Sequence, residues 1–528
     1  MYSIRKIAYT IKMGQCQLIS SFKIQNQASP LSLKEAIHFP QTIEEWIDSK
    51  PKIPSKTLTL NTMNENIIRM EHVVRGALTD RAGQLDKEIK RGNKKSFPDV
   101  IFAHIGDCHS MGQPYITFLR QVLALVIDPS NLNESKYPED AKQRARDILN
   151  NCEGGSIGAY SDAAGMKLIR QHVADYIQNR DGFPANYENI YLSSGASESI
   201  KAVMNLFNCK VNGKVAGILA PIPQYPMYKA TSGELGMHQI GYYVNDENID
   251  ISELERAVNS DREKCVPRVI CIINPANPTG LVLTKKNIQE IIQFAYENKL
   301  FIMADEVYQD NIYHDNFEFH SFKKVLFEMG EPYQCMELAS FMSCSKGYMG
   351  ECGIRGGYVE LTNFDPDVKE VYDKMAHTTK CSTTLGQVAV DVLVNPPKVG
   401  EPSYAKWYTE KTNVLKSLQK RAHLVVETLN TFEGFTCPTI RGAMYAFPRA
   451  HFPPKSIQAA KRAGQSVDSF YAYRLLEEYG VCIVPGSAFG HKPGAYYFRA
   501  TILPQMDKLQ EMLRRFETFN RKFMAEYK

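Results

Sequence analysis

The sequence predicts an α/β protein: a large αβα domain with a mostly parallel sheet, followed by a smaller α+β domain. Two observations support this prediction. Short, continuously apolar segments recur in the middle of the chain, which is typical of strands buried on both faces. Amphipathic helical segments separate them, as the crossover connections of a parallel sheet require. With 528 residues, the chain is long enough for two or three domains.

Helix and strand signals alternate from the segment 114–129, "PYITFLRQVLALVIDP", onward. The segment 165–180, "GMKLIRQHVADYIQNR", has helical periodicity, and the apolar segment 189–194 that follows it is strand-like. Further helices are predicted at 196–207, 251–258 and 285–299, and further strands at 214–220, 268–274, 300–306 and 336–342. Strands of this kind, covered by helices on both faces, form a mostly parallel sheet.

The pattern changes after about residue 395. A long helix is predicted over 404–432 and a final helix over 508–524, with short strands between them at 443–450, 481–486 and 495–503. We infer a second, smaller α+β domain, and we predict four parts in all. They are a leader (1–55), an N-terminal segment that packs with the small domain (56–145), the large domain (146–395) and the C-terminal small domain (396–528).

The composition is that of an ordinary globular protein, with 44% hydrophobic and 23% charged residues. A net charge of +4 is small for this length and gives no argument for binding to nucleic acid or to a membrane surface. No apolar stretch approaches the ~18 residues of a membrane-spanning helix. The 12 cysteines are scattered, without a CxxC pair or a Cys/His cluster at zinc spacing, so we expect reduced thiols and no metal.

The N-terminus differs from the rest of the chain, because its first 34 residues include basic residues but no Asp or Glu. Ile4, Ile7, Ala8 and Ile11 share one helical face. An acid-poor, amphipathic leader is typical of a mitochondrial transit peptide. The leader is poor in arginine, which departs from that pattern, and a disordered leader on a cytoplasmic protein stays open as the alternative. We expect a mitochondrial protein whose leader is cleaved within residues 1–55.

Lys346 lies in the segment 340–357, "SFMSCSKGYMGECGIRGG", directly after an apolar strand and before a glycine-rich stretch. A flexible amine on a glycine-loosened turn is what Schiff-base chemistry requires. An ordinary lysine between a strand and a loop fits the motif equally well. The other motifs have to decide between the two interpretations.

Three further polar motifs fall at predicted strand ends, where the ligands of open α/β sheets bind. "SSGAS" (193–197) opens a helix, so its amides can face an anion near the positive end of that helix. "NPANPTG" (274–280) is a turn stiffened by prolines that presents Asn277. Asp305, in "ADEVY", ends a buried strand, and a helix N-cap or a buried ion pair is the alternative to a functional role.

The order of these motifs resembles that of the fold type I pyridoxal-phosphate-dependent aminotransferases. It comprises SGAS, PxPQYP, NPxNPTG, ADEVY, SxSKG, RGG and a late YYFR, and the segments "RGAL" and "GSIGAYSDAAG" add to the likeness. The likeness extends over about residues 58–528. It implies a homodimer with shared active sites that transfers the amino group of L-alanine to 2-oxoglutarate. Pyruvate and L-glutamate would be the products of this ping-pong reaction.

The resemblance also implies roles for individual residues. Lys346 is expected to carry the pyridoxal 5′-phosphate and to move the proton of the substrate. Asp305 is expected to pair with the pyridinium nitrogen of the cofactor. Tyr308 and Asn277 should hydrogen-bond its phenolic oxygen, and Tyr225 should stack on the ring.

The remaining expectations concern two anionic groups, the phosphate of the cofactor and the α-carboxylate of the substrate. The phosphate should be bound by Ala196, Ser197, Ser343, Arg355 and, from the neighbouring subunit, Tyr160. Arg499 should hold the α-carboxylate of the substrate bidentately. Gly106, where the backbone approaches the substrate, and Asn277 complete the expected substrate site.

Two other kinds of function stay open. Related enzymes of this fold act on kynurenine, aromatic amino acids or glyoxylate, or are aminocyclopropane-type lyases, and they keep the same lysine, aspartate and arginine. A regulator that uses this fold would need a DNA-binding module, and the leader is too short to supply a convincing one. Because Lys346, Asp305 and Arg499 are all present, the sequence favours an active enzyme.

Overall fold

The structure is a computed structural model that describes residues 56–70, 76–492 and 494–528. The predicted leader and Arg75 of the "RGAL" motif lie outside the described residues. Packing divides the chain into two units, Met1–Met63 and Asn64–Lys528. In the first unit, residues 56–63 form a turn in which the Thr62 hydroxyl donates to the Thr57 carbonyl at 2.8 Å. The boundaries predicted at residues 145 and 395 stay predictions.

The described part of the chain forms fifteen strands. In chain order they are β1 (Ile101–Phe102), β2 (Ile190–Ser193), β3 (Lys210–Val211), β4 (Lys214–Ile222), β5 (His238–Tyr243), β6 (Cys265–Ile273), β7 (Phe301–Asp305), β8 (Leu338–Ser343), β9 (Gly357–Thr362), β10 (Phe435–Thr436), β11 (Tyr445–Ala446), β12 (Arg449–Ala450), β13 (Val481–Cys482), β14 (Val484–Pro485) and β15 (Tyr496–Thr501).

Sixteen α-helices accompany them over the same residues. In chain order they are α1 (Glu65–Arg69), α2 (Ala77–Lys90), α3 (Thr117–Ile127), α4 (Glu139–Asn150), α5 (Lys167–Asp181), α6 (Ala196–Leu206), α7 (Pro226–Glu234), α8 (Ile251–Asp261), α9 (Lys285–Glu297), α10 (Phe322–Glu328), α11 (Pro366–Thr378), α12 (Thr384–Val394), α13 (Tyr404–Leu429), α14 (Pro454–Arg462), α15 (Val467–Tyr479) and α16 (Met506–Tyr527).

An eight-stranded sheet dominates the fold, with the strand order β2-β9-β8-β7-β6-β4 and with β3 and β5 both pairing to β4. The strands β8, β7, β6, β4 and β5 run parallel to one another, whereas β9 pairs antiparallel to both β2 and β8, and β3 pairs antiparallel to β4. The prediction of a mostly parallel α/β sheet is therefore confirmed. All strands except β3 and β9 point their carboxyl ends toward the same edge of the sheet.

Alternate residues of the central strands pack into two apolar cores, one on each face of the sheet. In β6, Ile270 and Ile272 belong to one core, whereas Cys271 and Ile273 belong to the other. Burial on both faces explains why these strands are continuously apolar instead of alternating with polar residues.

A second, five-stranded sheet is antiparallel, with the order β10-β12-β15-β11 and with β14 also paired to β15. Its central strand, β15, carries Arg499 opposite Val484 of β14. The short parallel pair of β1 and β13 lies outside both sheets. This pairing places the segment that follows β1, with Gly106, beside the C-terminal part of the chain.

Candidate active site

The carboxyl ends of the large sheet border a cavity of about 780 Å³. Eleven of the twelve site residues predicted from the sequence line it. They are Gly106, Ala196, Ser197, Tyr225, Asn277, Asp305, Tyr308, Ser343, Lys346, Arg355 and Arg499. The twelfth, Tyr160, is not among the lining residues, and it is 74% exposed.

Lys346 follows β8 by three residues and extends into the cavity half-buried. Its Nζ donates to the carbonyl oxygen of Gly106 at 2.7 Å and lies 6.0 Å from the centre of the Tyr308 ring. Burial lowers the pKa of this amine, but the nearby acidic groups of Tyr445 and Cys352 outweigh burial, so the pKa is raised overall. In this geometry the amine is therefore an ammonium group.

Asp305 is the last residue of β7 and is only 5% exposed. The Tyr228 hydroxyl donates to one carboxylate oxygen at 2.9 Å, and the Val307 amide approaches the other at 3.5 Å. Burial raises the pKa of the carboxyl group to about 6, although both hydrogen bonds act in the opposite direction. A cation bound against this carboxylate would offset its desolvation.

Arg499 is almost fully buried and holds a guanidinium group at the cavity wall. Its Nη2 donates to the His104 carbonyl at 2.6 Å and its Nη1 to Asn277 Oδ1 at 3.4 Å. The guanidinium also lies over the Tyr445 ring, 4.4 Å from its centre. Its Nε atom is buried without a hydrogen-bond partner, which leaves a charged donor for an incoming ligand.

His104 is buried beside Arg499, and burial, assisted by that positive charge, lowers the pKa of its imidazole to about 4. The imidazole is therefore neutral near neutral pH. His104 therefore adds no second positive charge next to the guanidinium group of Arg499.

The start of helix α6 and the residues near Arg355 form a site for an anion. Gly195 at the N-cap provides no side chain to accept from the first-turn amides, so the amides of Ala196 and Ser197 can bind a ligand. Only glycine fits there, because φ is 89° and a Cβ atom would lie 2.3 Å from Nη2 of Arg355. Arg355 Nη1 itself contacts the Ser345 hydroxyl at 3.5 Å.

Ser343 is already hydrogen-bonded within the chain. Its hydroxyl donates to the Gly356 carbonyl at 3.1 Å and accepts from the Ser345 amide at 3.0 Å. A phosphate at this position would therefore bind Ser343 only if the hydroxyl rotates away from Gly356. Ser345, which the sequence analysis did not select, also lines the cavity.

This set of groups fits pyridoxal phosphate on three structural grounds. The open helix start with Arg355 suits a phosphate, the buried carboxylate of Asp305 suits a protonated ring nitrogen, and Lys346 lies in the same cavity. Tyr308, buried next to Lys346, adds a phenol whose hydroxyl lies 3.5 Å from that of Tyr445. The cavity also has room for a small substrate beside Arg499.

Sequence reasoning missed Tyr228, Tyr445 and Cys352. Tyr228 is one helical turn beyond Tyr225, and nothing in the sequence indicated that its hydroxyl reaches Asp305. Tyr445 lies in a predicted strand, where an aromatic residue is ordinary. In the sequence, Cys352 is only one of the scattered cysteines, but the structure places it on the cavity wall, whereas Cys344 is fully buried.

Comparison with known proteins gives a consistent result. The family model described as aminotransferase class I and II matches residues 127–516. Alanine aminotransferase 2 of Xenopus laevis is 51% identical over 90% of this chain and 88% of its own length. Alanine aminotransferase 1 of Homo sapiens is 48% identical over 90% of this chain and 96% of its own length.

Solved structures share the fold at lower identity. An aminotransferase from Escherichia coli is 23% identical, with a TM-score of 0.67 over 88% of this chain and 98% of its own. The alanine aminotransferase from Pyrococcus furiosus is 21% identical, with a TM-score of 0.69 over 87% of this chain and 100% of its own. The fold type expected from the sequence is confirmed. Within the described ranges, no helix combines the length and apolar character of a membrane span.

Proposed function

Because the chain belongs to the class I and II aminotransferase family, we propose that it transfers the amino group of L-alanine to 2-oxoglutarate, giving pyruvate and L-glutamate. The single observation that carries the transaminase chemistry of this proposal is the convergence of Lys346, Asp305 and Arg499 on one cavity. Relatives named alanine aminotransferase, at about half identity over nine-tenths of the chain, support the choice of substrates. The enzyme is a pyridoxal-phosphate-dependent transferase.

Pyridoxal phosphate supplies an electron sink that stabilises negative charge on the substrate α-carbon. Asp305 holds a negative charge where the ring nitrogen is expected, and Tyr228 fixes that carboxylate at 2.9 Å. The amides that begin α6, together with Arg355 and Ser343, would hold the phosphate. Tyr225, half-buried at the cavity wall, offers its ring face for stacking.

Lys346 would carry the cofactor and would move the proton at the substrate α-carbon. Once substrate is bound, the amine must act as a base, so its positive charge has to be lost. The short bond to the Gly106 carbonyl fixes the position of the amine before binding. Tyr308 and Asn277 orient the reacting groups, since both are buried in the same wall.

Arg499 binds the α-carboxylate that both substrates share. Its contacts with the His104 carbonyl and Asn277 orient the guanidinium group before substrate arrives. Discrimination between amino acids must come from the rest of the cavity, where one methylene group changes binding by about 1–3 kcal/mol. Slightly larger aliphatic donors such as 2-aminobutyrate should therefore be weak substrates.

Panels of amino donors and oxo acceptors test this proposal with the purified holoenzyme. We expect alanine to be the best donor, and 2-oxoglutarate and pyruvate to be the paired acceptors. A donor panel in which an aromatic amino acid or kynurenine exceeds alanine would instead assign the related activity. In that case the same cofactor site would still be used.

We also propose that the enzyme is a homodimer in which Tyr160 of each subunit reaches the phosphate site of the other. The exposure of Tyr160 and its position outside the cavity of its own chain support this arrangement. Sedimentation analysis should give a dimer, and Tyr160→Phe should weaken cofactor retention without changing the fold. A monomer of full activity would contradict the proposal.

For the cell compartment, we propose the mitochondrial matrix. The support is the acid-poor, amphipathic sequence that precedes Glu35. Fractionation of the native source, with N-terminal sequencing, tests the proposal. An intact Met1 on a cytoplasmic protein would contradict it.

A further inference from the structure

Two cysteine thiols meet at the wall of the active-site cavity, beside Lys346. Cys352 is half-buried and lines the cavity, and its Sγ lies 3.1 Å from the Ser345 carbonyl and 3.7 Å from the Gly106 carbonyl. The Gly106 carbonyl is the one that accepts from Lys346 Nζ. Cys108 is fully buried two residues after Gly106, where its thiol donates to Met444 Sδ at 3.7 Å, and it interacts electrostatically with Cys352. Both are free thiols.

The two loops that carry these cysteines are in close contact. A Cβ atom on Gly350 would lie 2.7 Å from Cys108 Cβ and 3.2 Å from Cys108 Sγ. The amide of Cys352 donates to the Gly350 carbonyl at 2.9 Å, which fixes Cys352 in the same turn. The turn that carries Cys352 is therefore packed against the side chain of Cys108, and a disulfide requires such proximity between its two loops.

The surroundings make the two thiols unequal. The interaction with Cys108, followed by the positive charge of Lys346, lowers the pKa of the Cys352 thiol, although burial acts in the opposite direction. For Cys108, the interaction with Cys352 and its complete burial raise the pKa of the thiol. Cys352 is thus the nucleophile, accessible from the cavity, and Cys108 is the adjacent thiol that can resolve its oxidation product.

We propose that Cys352 and Cys108 form a peroxide-sensitive dithiol that closes to a disulfide at the edge of the active site. In the first step, the Cys352 thiolate attacks one oxygen of hydrogen peroxide, giving a sulfenic acid and hydroxide. In the second, the Cys108 sulfur attacks the sulfenic sulfur, and its proton leaves with the sulfenic oxygen as water. The two sulfurs together lose two electrons, which reduce one peroxide to water.

Closure of this disulfide would affect the active site through Gly106. The bond would join the loop of Gly106 and Cys108 to the loop of Lys346 and Cys352, and it would move Cys352 Sγ away from the Ser345 carbonyl. Because the bond would shift the loop of Gly106, where the backbone is expected to approach the substrate, relative to the loop of Lys346, turnover should fall as the disulfide forms. This proposal goes beyond the transamination reaction, and its chemical step does not depend on which amino acid is the substrate.

Peptide mapping after oxidation tests the proposal on the holoenzyme. Hydrogen peroxide treatment, blocking of the remaining thiols and digestion with trypsin should give one linked species made of the peptides 96–120 and 347–355. Each of these peptides contains a single cysteine. The linked species should be two hydrogens lighter than the sum of the two peptides and should separate with dithiothreitol. Turnover should fall in proportion to the linked fraction and return on reduction.

Single substitutions separate the two roles. Cys108→Ser should stop oxidation at the sulfenic acid of Cys352, which dimedone traps in peptide 347–355. Cys352→Ser should abolish both the link and the dimedone adduct. Cys344→Ser is the matched control, because Cys344 is a fully buried neighbour whose thiol donates to the Gly356 carbonyl at 3.3 Å. This variant should still form the disulfide between Cys108 and Cys352.

Three results would overturn the proposal. The first is that both cysteines remain open to blocking reagents after peroxide treatment. The second is a link from either residue to a different cysteine. The third is complete linkage with unchanged turnover, which would refute the effect on the active site.

Discussion

Asp305→Asn should separate the stability of this protein from its activity. The carboxyl group is buried, and in the cofactor-free protein its hydrogen bonds are the one from Tyr228 and a long contact from the Val307 amide. Burial raises its pKa from 3.8 to about 6. At about 1.4 kcal/mol for each pH unit, the ionised carboxylate destabilises the cofactor-free fold by about 3 kcal/mol.

The sign follows from the direction of the pKa change. Because the pKa of Asp305 is higher in the folded than in the unfolded chain, the folded state binds the proton more tightly. The contribution of this group to stability is therefore most favourable below pH 3.8, declines as the pH rises to about 6, and stays low above that value. Asparagine carries no charge at any of these pH values, so the variant should lose this part of the pH dependence.

We therefore expect the cofactor-free Asp305→Asn protein to be more stable than the parent near neutral pH, by up to about 3 kcal/mol. Turnover of the loaded enzyme should instead fall by about 100-fold or more, because the cofactor loses the anion that faces its ring nitrogen. Urea unfolding of the cofactor-free proteins at about pH 5 and about pH 8 measures the first effect, and steady-state kinetics measures the second.

Asp310→Asn provides the matched control. Asp310 also carries a buried carboxyl group whose pKa burial raises, but it is not among the residues that line the cavity. Its substitution should stabilise the cofactor-free protein in the same direction with a much smaller loss of turnover. An Asp305→Asn protein that is less stable than the parent and keeps near-normal turnover would refute the reasoning and make Asp305 a structural carboxylate.

Three further predictions concern single residues of the site. Lys346→Ala should retain pyridoxal phosphate through Arg355 and the α6 amides but fail to turn over. Borohydride reduction of the parent enzyme should label Lys346, and a label on another lysine would exclude Lys346 as the attachment site. Arg499→Lys should raise the KM for alanine and for 2-oxoglutarate together, by roughly 10-fold or more, because an ammonium group cannot form the bidentate contact; a change for one substrate alone would argue against a shared carboxylate site. Gly106→Ala should lower turnover by roughly 10-fold while cofactor absorbance is kept, since an added Cβ would displace Tyr445; unchanged kinetics would show that Tyr445 can move without consequence.

The central strands could be predicted from the sequence because burial on both faces leaves a continuous apolar signal. The observed β6 and β7 match the predicted segments 268–274 and 300–306 within three residues at each end. Strands β5 and β9 were not predicted. The residues of β5, "HQIGYY", alternate in burial and include glycine and histidine, and β9 begins in the glycine-rich stretch after Lys346. Their place is set by pairing with β4 and β8, which a local pattern does not encode.

The residues of the site that stand in motifs at strand ends could also be predicted from the sequence. Motifs at the ends of parallel strands meet because those ends share one edge of the sheet, so Asn277, Asp305 and Lys346 come together. The contacts of Tyr228 and Tyr445 with this group depend on how a helix and a strand from the second sheet lie against that edge. Neither residue stands in a motif that marks it chemically, so the sequence alone could not separate them from core tyrosines.

Several of these contacts depend on residue 106 being glycine, which has no side chain. Its carbonyl accepts from Lys346 Nζ at 2.7 Å, and a Cβ atom there would lie 1.9 Å from the Tyr445 hydroxyl and 2.9 Å from the ring carbon that bears it. That hydroxyl also lies 3.5 Å from the hydroxyl of Tyr308, while the Tyr445 ring packs under Arg499. A side chain at position 106 would therefore push Tyr445 away from two groups of the site at once. Tyr445→Phe in the Gly106→Ala background removes the closest clash but not the ring contact, so it should recover part of the lost turnover. Failure to recover any would mean that the alanine acts through the Lys346 contact instead.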